Sequence, residues 1–248
     1  MTNDYRAEHH AALFGYLASE VFHRHPDEAP EVLKDAVITY GEERGGRMGK
    51  RAAIDGLPLN MNTYMLYREY PVEQDKFGGP SENLPNGDFH SSPEKCPWST
   101  QWRDLGLDQY CGVYCRHIDN ALARGFHPDV LIESKGNLTD GDQRCELWFY
   151  GANMDDPENV KKMREWGPRI KNSNAIKDFD YQLAHTYASI SKTLRKYFPG
   201  VEADRLLAAA IEKFEALYGK GYADEFLALT GQDFINVSDY EGAPTPSE

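Results

Sequence analysis

Apolar positions along the chain recur with two periods, and the change of period divides it into three zones. In the first, about residues 5–70, Ala12, Leu13, Tyr16, Leu17 and Val21 fall at helical spacing in "RAEHHAALFGYLASEVFHR", with Glu20 the one polar residue on the stripe. Pro26 and Pro30 close that helix. "EVLKDAVITYGEERGGRMGKRAA" predicts a second helix, which Gly45-Gly46 interrupts or kinks, and "NMNTYMLYREY" predicts a short third segment. His9-His10 and His23-x-His25 mark helix ends and read as solvated. The third zone is helical again, over about 158–171, 177–198, 201–219 and 222–229, before the polar ending "SDYEGAPTPSE".

The middle zone differs. Residues 71–100 are rich in Pro, Gly, Ser and Asn, carry no period, and end at Cys96-Pro97-Trp98, which reads as an anchor. A helix follows over about 107–124, stopped by Gly125 and Pro128. Beyond it "DVLIESKGNL" and "QRCELWFYGA" flank Asp140-Gly141, a hairpin signal, with Cys145, Leu147 and Phe149 on one side of the second strand. The expected fold is α+β, a helical bundle around a small antiparallel sheet that includes the hairpin at 130–151. One domain is expected over residues 1–235, with a disordered tail at 236–248.

The charge balance changes the picture by exclusion. A net charge of −13 over 248 residues repels a phosphate backbone, so no nucleic-acid partner is expected. No apolar run approaches the roughly 20 residues that span a bilayer, and no basic region precedes an apolar one at the start of the chain. The expected setting is the cytoplasm, with reduced thiols.

All four cysteines, Cys96, Cys111, Cys115 and Cys145, belong to the middle zone. On a helical wheel Cys111, Cys115, Ile118 and Leu122 form one stripe, Asp119 lies within about 40° of Cys115, and His117 falls on the opposite face. A histidine serving Cys115 must therefore come from elsewhere, and His90 and His185 are the candidates. Three readings follow from the residue types. Free cysteines pack as small hydrophobes. Four of them are enough for a structural zinc, although only Cys111 and Cys115 are paired, as C-x3-C. A cysteine beside a base or cation is a nucleophile. Asp119 on the same stripe argues against a purely apolar face, because a buried carboxylate needs a partner.

At these residues the sequence resembles the L-2-amino-thiazoline-4-carboxylic acid hydrolase family. "KCPW" at 95–98, "YCRHIDNALARGFHPD" at 114–129 and "GDQRCELWF" at 141–149 carry the resemblance, with weaker support from "YGEERGGRMGKRAA" at 40–53. The resemblance implies hydrolysis of a cyclic amidine in a thiazoline ring. In that chemistry Cys115 is the expected nucleophile, with Cys96 or Cys145 in its place as alternatives. Asp119 holds the amidinium, and His90 or His185 moves protons. Arg44 or Arg47 binds a carboxylate, and Cys96, Cys145 and Trp98 line the substrate. Cys111 departs from the family signature and reads as helix packing. The expected partner is a small-molecule substrate and no cofactor is called for, zinc being the alternative. A non-enzymatic small-molecule or zinc sensor, or a lyase or C–C hydrolase on the same fold, remains open, as does a homodimer.

Overall fold

The computed structural model describes residues 3–70 and 75–244. Its first helix, α1 (Ala7–Arg24), buries the predicted stripe, and Glu20 is held there by Lys213 and Arg24. The second, α2 (Ala29–Ile54), runs unbroken through Gly45-Gly46, where the sequence predicted an interruption or kink. Packing explains the difference. Gly41, Gly45 and Gly49 recur every fourth residue on the face that meets α5 (Asp108–Phe126). A Cβ at Gly45 would collide with the Leu122 carbonyl oxygen, and one at Gly49 would lie 2.6 Å from that of Phe126. The missing side chains let two backbones touch, which offsets the intrinsic cost of glycine in a helix.

Asn60 caps the short α3 (Met61–Leu66), its side chain accepting the Thr63 N–H. The aperiodic zone then yields more structure than its composition predicts. Its first residues, 71–74, lie outside the described ones, but Ser81–Asn83 (β1) and Phe89–Ser91 (β2) pair as antiparallel strands. Pro97 opens α4 (Pro97–Asp104) and leads into α5. The predicted hairpin follows, with β3 (Ile132–Gly136) antiparallel to β4 (Glu146–Phe149). Its turn is a 3-10 segment at Leu138–Asp140, capped by Asn137 and closed by Gly141 at φ 97°. Because β2 also pairs with β4, the sheet has four strands in the order β1-β2-β4-β3. Phe149 and Ile132, opposite each other, are buried beneath it.

Helices α6 (Pro157–Lys171), α7 (Phe179–Tyr197), α8 (Gly200–Tyr218) and α9 (Lys220–Leu227) complete the α+β fold. Residues 236–244 depart from the expected disordered tail. Tyr240 and Ala243 are buried, the Tyr240 hydroxyl and the Ala243 N–H both donate to Asp55, and Lys177 pairs with Asp239. One aromatic and one small apolar residue among polar ones suffice to dock the segment. Among the described residues no helix is long and apolar enough to cross a membrane.

Candidate functional site

Three chain segments bring sulfur to one place. Cys115 and Asp119 lie one turn apart on α5, Cys96 is the residue before α4, and Cys145 immediately precedes β4. The backbone N–H of Cys145 donates to the Pro93 carbonyl at 2.9 Å, which ties the hairpin to the segment that carries Cys96. Through-space charge interactions link Cys115 to Cys96, Cys145 and Asp119, and link Cys96 and Cys145 to Asp119. All four keep some accessible surface, yet burial raises the pKa of each. Groups in solid core have no such surface, so these line a recess.

The three sulfurs differ in what they touch. Cys96 has extended backbone, φ −150° and ψ 121°, at the N-cap of α4. Pro97 has no N–H, and the backbone N–H groups of Trp98 and Ser99, which begin the helix beside Cys96, oppose the effect of burial on its thiol without capping it through a hydrogen bond. Burial pushes this thiol up to about 11. Cys115 meets the Thr139 hydroxyl at 3.3 Å, and burial together with Cys96 holds its thiol well above the usual range. Cys145 is raised by burial and by Asp119, with the Leu138 backbone opposing. Cys111 is 0% exposed in the core, and its charge interactions run to Cys115 and Asp108, away from the other two sulfurs. Among the described residues no three His, Cys, Asp or Glu side chains converge as metal ligands.

Burial raises the Asp119 carboxyl to about 6, and the guanidinium groups of Arg68 and then Arg44 pull the other way. Among the described residues no hydrogen bond reaches Asp119, so its oxygens have no donor. The hydroxyls of Tyr64 and Tyr114 feel its charge and are themselves raised by burial.

Several expected participants lie elsewhere. His90 is on β2, cross-strand from Trp148 and stacked on it with ring centroids 4.3 Å apart. Its Nε2 lies 2.6 Å from Glu146 and 3.2 Å from the Ser92 hydroxyl. It borders a separate recess of about 260 Å³ with Glu82, Ser92 and Arg144. The two-residue period of the sheet puts His90 and Trp148 on one face and Leu147 on the other, so His90 does not serve the sulfurs.

His185 is buried on α7, with Nδ1 2.7 Å from Arg47 and Nε2 3.0 Å from Glu43. A guanidinium only donates, so Nδ1 accepts and the proton sits on Nε2. Burial first, and then Arg47, push its pKa down to about 3. Both nitrogens are committed, and the ring is a structural group.

Arg47 is likewise unavailable to a ligand. Its five N–H groups go to Glu69 twice, to His185, to the Phe234 carbonyl and to Gln182. Arg44 is 2% exposed, donating to Glu69 at 3.3 Å and to the Tyr70 hydroxyl at 2.8 Å. Trp98 is buried behind Cys96 and hydrogen-bonds His10, so it supports the recess more than it lines it.

Four residues near the site went unread in the sequence. Glu69, 0% exposed, collects Arg44, Arg47 and Arg51 from a single stripe of α2. The signal was present as three arginines at i, i+3 and i+7 followed by a lone carboxylate in "YREY". Arg68 is exposed between buried Tyr67 and Glu69 and no local pattern marks it. Thr139 needed the hairpin turn. His10, expected in solvent, is 0% exposed, and it shares a helix face with Leu13, Phe14 and Leu17, so a wheel of α1 reveals it.

The comparisons with known proteins bear on this arrangement directly. No curated protein and no solved structure matches the chain. Residues 5–149, more than half of the chain and everything from α1 to the end of β4, match the profile of the L-2-amino-thiazoline-4-carboxylic acid hydrolases, and the chain belongs to that family.

Proposed function

We propose that the chain hydrolyses a small cyclic amidine bearing a carboxylate, with Cys96 as nucleophile and Asp119 holding the amidinium. The observation that carries this reading is that Cys96, Cys115 and Cys145 all lie within charge range of Asp119, a carboxylate that receives no hydrogen bond. An amidinium offers two N–H donors to such a group. Cys96 is preferred over Cys115 because it caps the start of α4, where the Trp98 and Ser99 backbone and the positive end of the helix favour a thiolate. The resting thiols are protonated, so the positive charge of the bound substrate is what brings Cys96 into reach of ionisation.

The steps balance. The thiol proton passes to Asp119 as the Cys96 sulfur bonds to the ring carbon between nitrogen and sulfur. The ring carbon–sulfur bond breaks and the departing sulfur takes the proton. Water then adds to the same carbon, the bond to Cys96 breaks, and the products are a carbamoyl group and the free Cys96 thiol. No histidine is needed, which accords with His90 and His185 lying apart from the recess. Arg68, exposed and near enough to lower the Asp119 pKa, is the available cation for the substrate carboxylate, since Arg47 has no donor left.

The test is turnover of 2-amino-thiazoline-4-carboxylate by single variants. Cys96→Ser and Asp119→Asn are expected to lower kcat/KM at least about 1,000-fold, and Cys115→Ser only about tenfold. Lost activity in Cys115→Ser with Cys96→Ser intact moves the nucleophile to α5. Full turnover by both Cys96→Ser and Asp119→Asn overturns the reading.

A further inference from the structure

We propose that Trp98 and His10 form a positioning pair for Cys96, the indole N–H clamping the first turn of α4 so that its first backbone N–H stays beside the sulfur. The proposal deepens the reading of Cys96 as nucleophile and rests on it. Cys96 is the N-cap of α4 and Pro97 has no N–H, so the Trp98 N–H is the first backbone N–H of the helix beside the sulfur, and whatever fixes Trp98 fixes that dipole. Its indole Nε1 donates to His10 Nδ1 at 2.9 Å, and its ring lies against Tyr70, centroids 5.2 Å apart.

His10 suits this task because its protonation state is locked. An indole N–H only donates, so Nδ1 must accept and the imidazole proton sits on Nε2. Nε2 is 2.8 Å from the Thr186 hydroxyl and 3.1 Å from that of Tyr40. A second proton on Nδ1 would set donor against donor. Burial first, then the charges of Arg44 on α2 and His185 on α7, also keep the ring neutral. Thr186 lies on α7, outside the residues shared with the family, so the C-terminal half of the chain braces the turn that carries Cys96. The charged and titratable groups facing Cys96 itself are Cys115 and Asp119 from α5 and Cys145 from the hairpin, and none of them belongs to the clamp.

Core packing alone would make the same contacts, so the test must read the sulfur. Trp102 is an internal control: it is a second buried tryptophan on α4, and its Nε1 donates at 2.7 Å to the Ala11 carbonyl. The measurement is the rate of Cys96 alkylation by iodoacetamide as a function of pH, followed by mass on the Cys96 peptide. Trp98→Phe and His10→Leu are expected to shift the profile upward by about one pH unit, a roughly tenfold slower reaction at pH 9. Trp102→Phe should react as the unmodified protein does. His10→Asn, which keeps an acceptor near the Nδ1 position, should restore the profile. Unshifted Trp98→Phe, or an equal shift in Trp102→Phe, overturns the proposal. If Trp98→Phe does not fold, the His10→Leu and His10→Asn pair decides, with equal profiles counting against the clamp. Because alkylation does not require turnover, a Cys96→Ser protein that keeps its activity would sink the nucleophile while leaving the clamp to be judged on its own.

Discussion

Two buried carboxylates about fifty positions apart in the chain have opposite fates. Glu69 is 0% exposed, and its two oxygens accept from Arg44, Arg47, Arg51 and Gln182. Burial alone would raise its pKa, but the Arg47, Arg44 and Arg51 guanidiniums overcome it and hold Glu69 well below the usual carboxylate range. Asp119 has charges nearby and no donor, and burial wins, raising it to about 6. The first carboxylate is fully used by the fold. The second has no protein donor, so its capacity to accept hydrogen bonds is not used by the fold. The two carboxylates are told apart by their partners, four donor side chains at Glu69 and none at Asp119.

If that contrast is right, the two sites should fail in opposite directions. Glu69→Ala leaves three buried guanidiniums without their counter-ion and is expected to lose about 3–5 kcal/mol in urea denaturation. A loss below about 1 kcal/mol would mean that the surrounding carbonyls suffice and the comparison collapses. Asp119→Asn is expected to gain stability at pH 7.5, on the order of 1–3 kcal/mol, while losing activity. The sign follows from linkage. A carboxyl raised from 3.8 to about 6 favours the protonated folded state, so stability is lost as pH rises between those values. The advantage of Asp119→Asn should therefore shrink as pH falls from about 6 to about 4. Equal stability of the two proteins at both ends would show that Asp119 finds a partner after all.

The smallest effect sharpens the comparison beside Asp119. Arg68→Met is expected to raise KM for the carboxylated amidine about tenfold with kcat kept within about threefold. The same change should leave 2-amino-thiazoline, which lacks the carboxylate, unaffected. Since Arg68 lowers the Asp119 pKa, its loss should also move the acidic limb of the rate profile to higher pH. An unmoved limb would place Arg68 outside the field of Asp119.

Much of the architecture was legible without coordinates because it is encoded locally. Apolar residues at 3.6-residue spacing gave α1, α5, α7 and α8 to within a few residues, and Asp140-Gly141 gave the hairpin. The same wheel put Cys115 beside Asp119 and turned His117 away, and His117 indeed faces Lys34 and Arg116. Strands β1 and β2 were illegible because three-residue strands held by cross-chain pairing carry no period of their own. The partners of the histidine candidates were illegible for a related reason: the sheet sets His90 against Glu146 and the bundle sets His185 between Arg47 and Glu43.

Sequence alone determined which residues share a helix face, where the chain turns, and that sulfur and a carboxylate occur together on α5, since each depends on neighbours within about one or two helical turns. Tertiary structure alone decided that Cys96 and Cys145 join Cys115 and that Glu69 takes all three arginines of α2. It also decided that the glycines of that helix join it to α5 and that His10 reaches Trp98. These are pairings between distant segments, and in one chain many are compatible with the same local pattern. Only the packing of the whole selects among them, because each buried polar group must find its partner at the same time as every other.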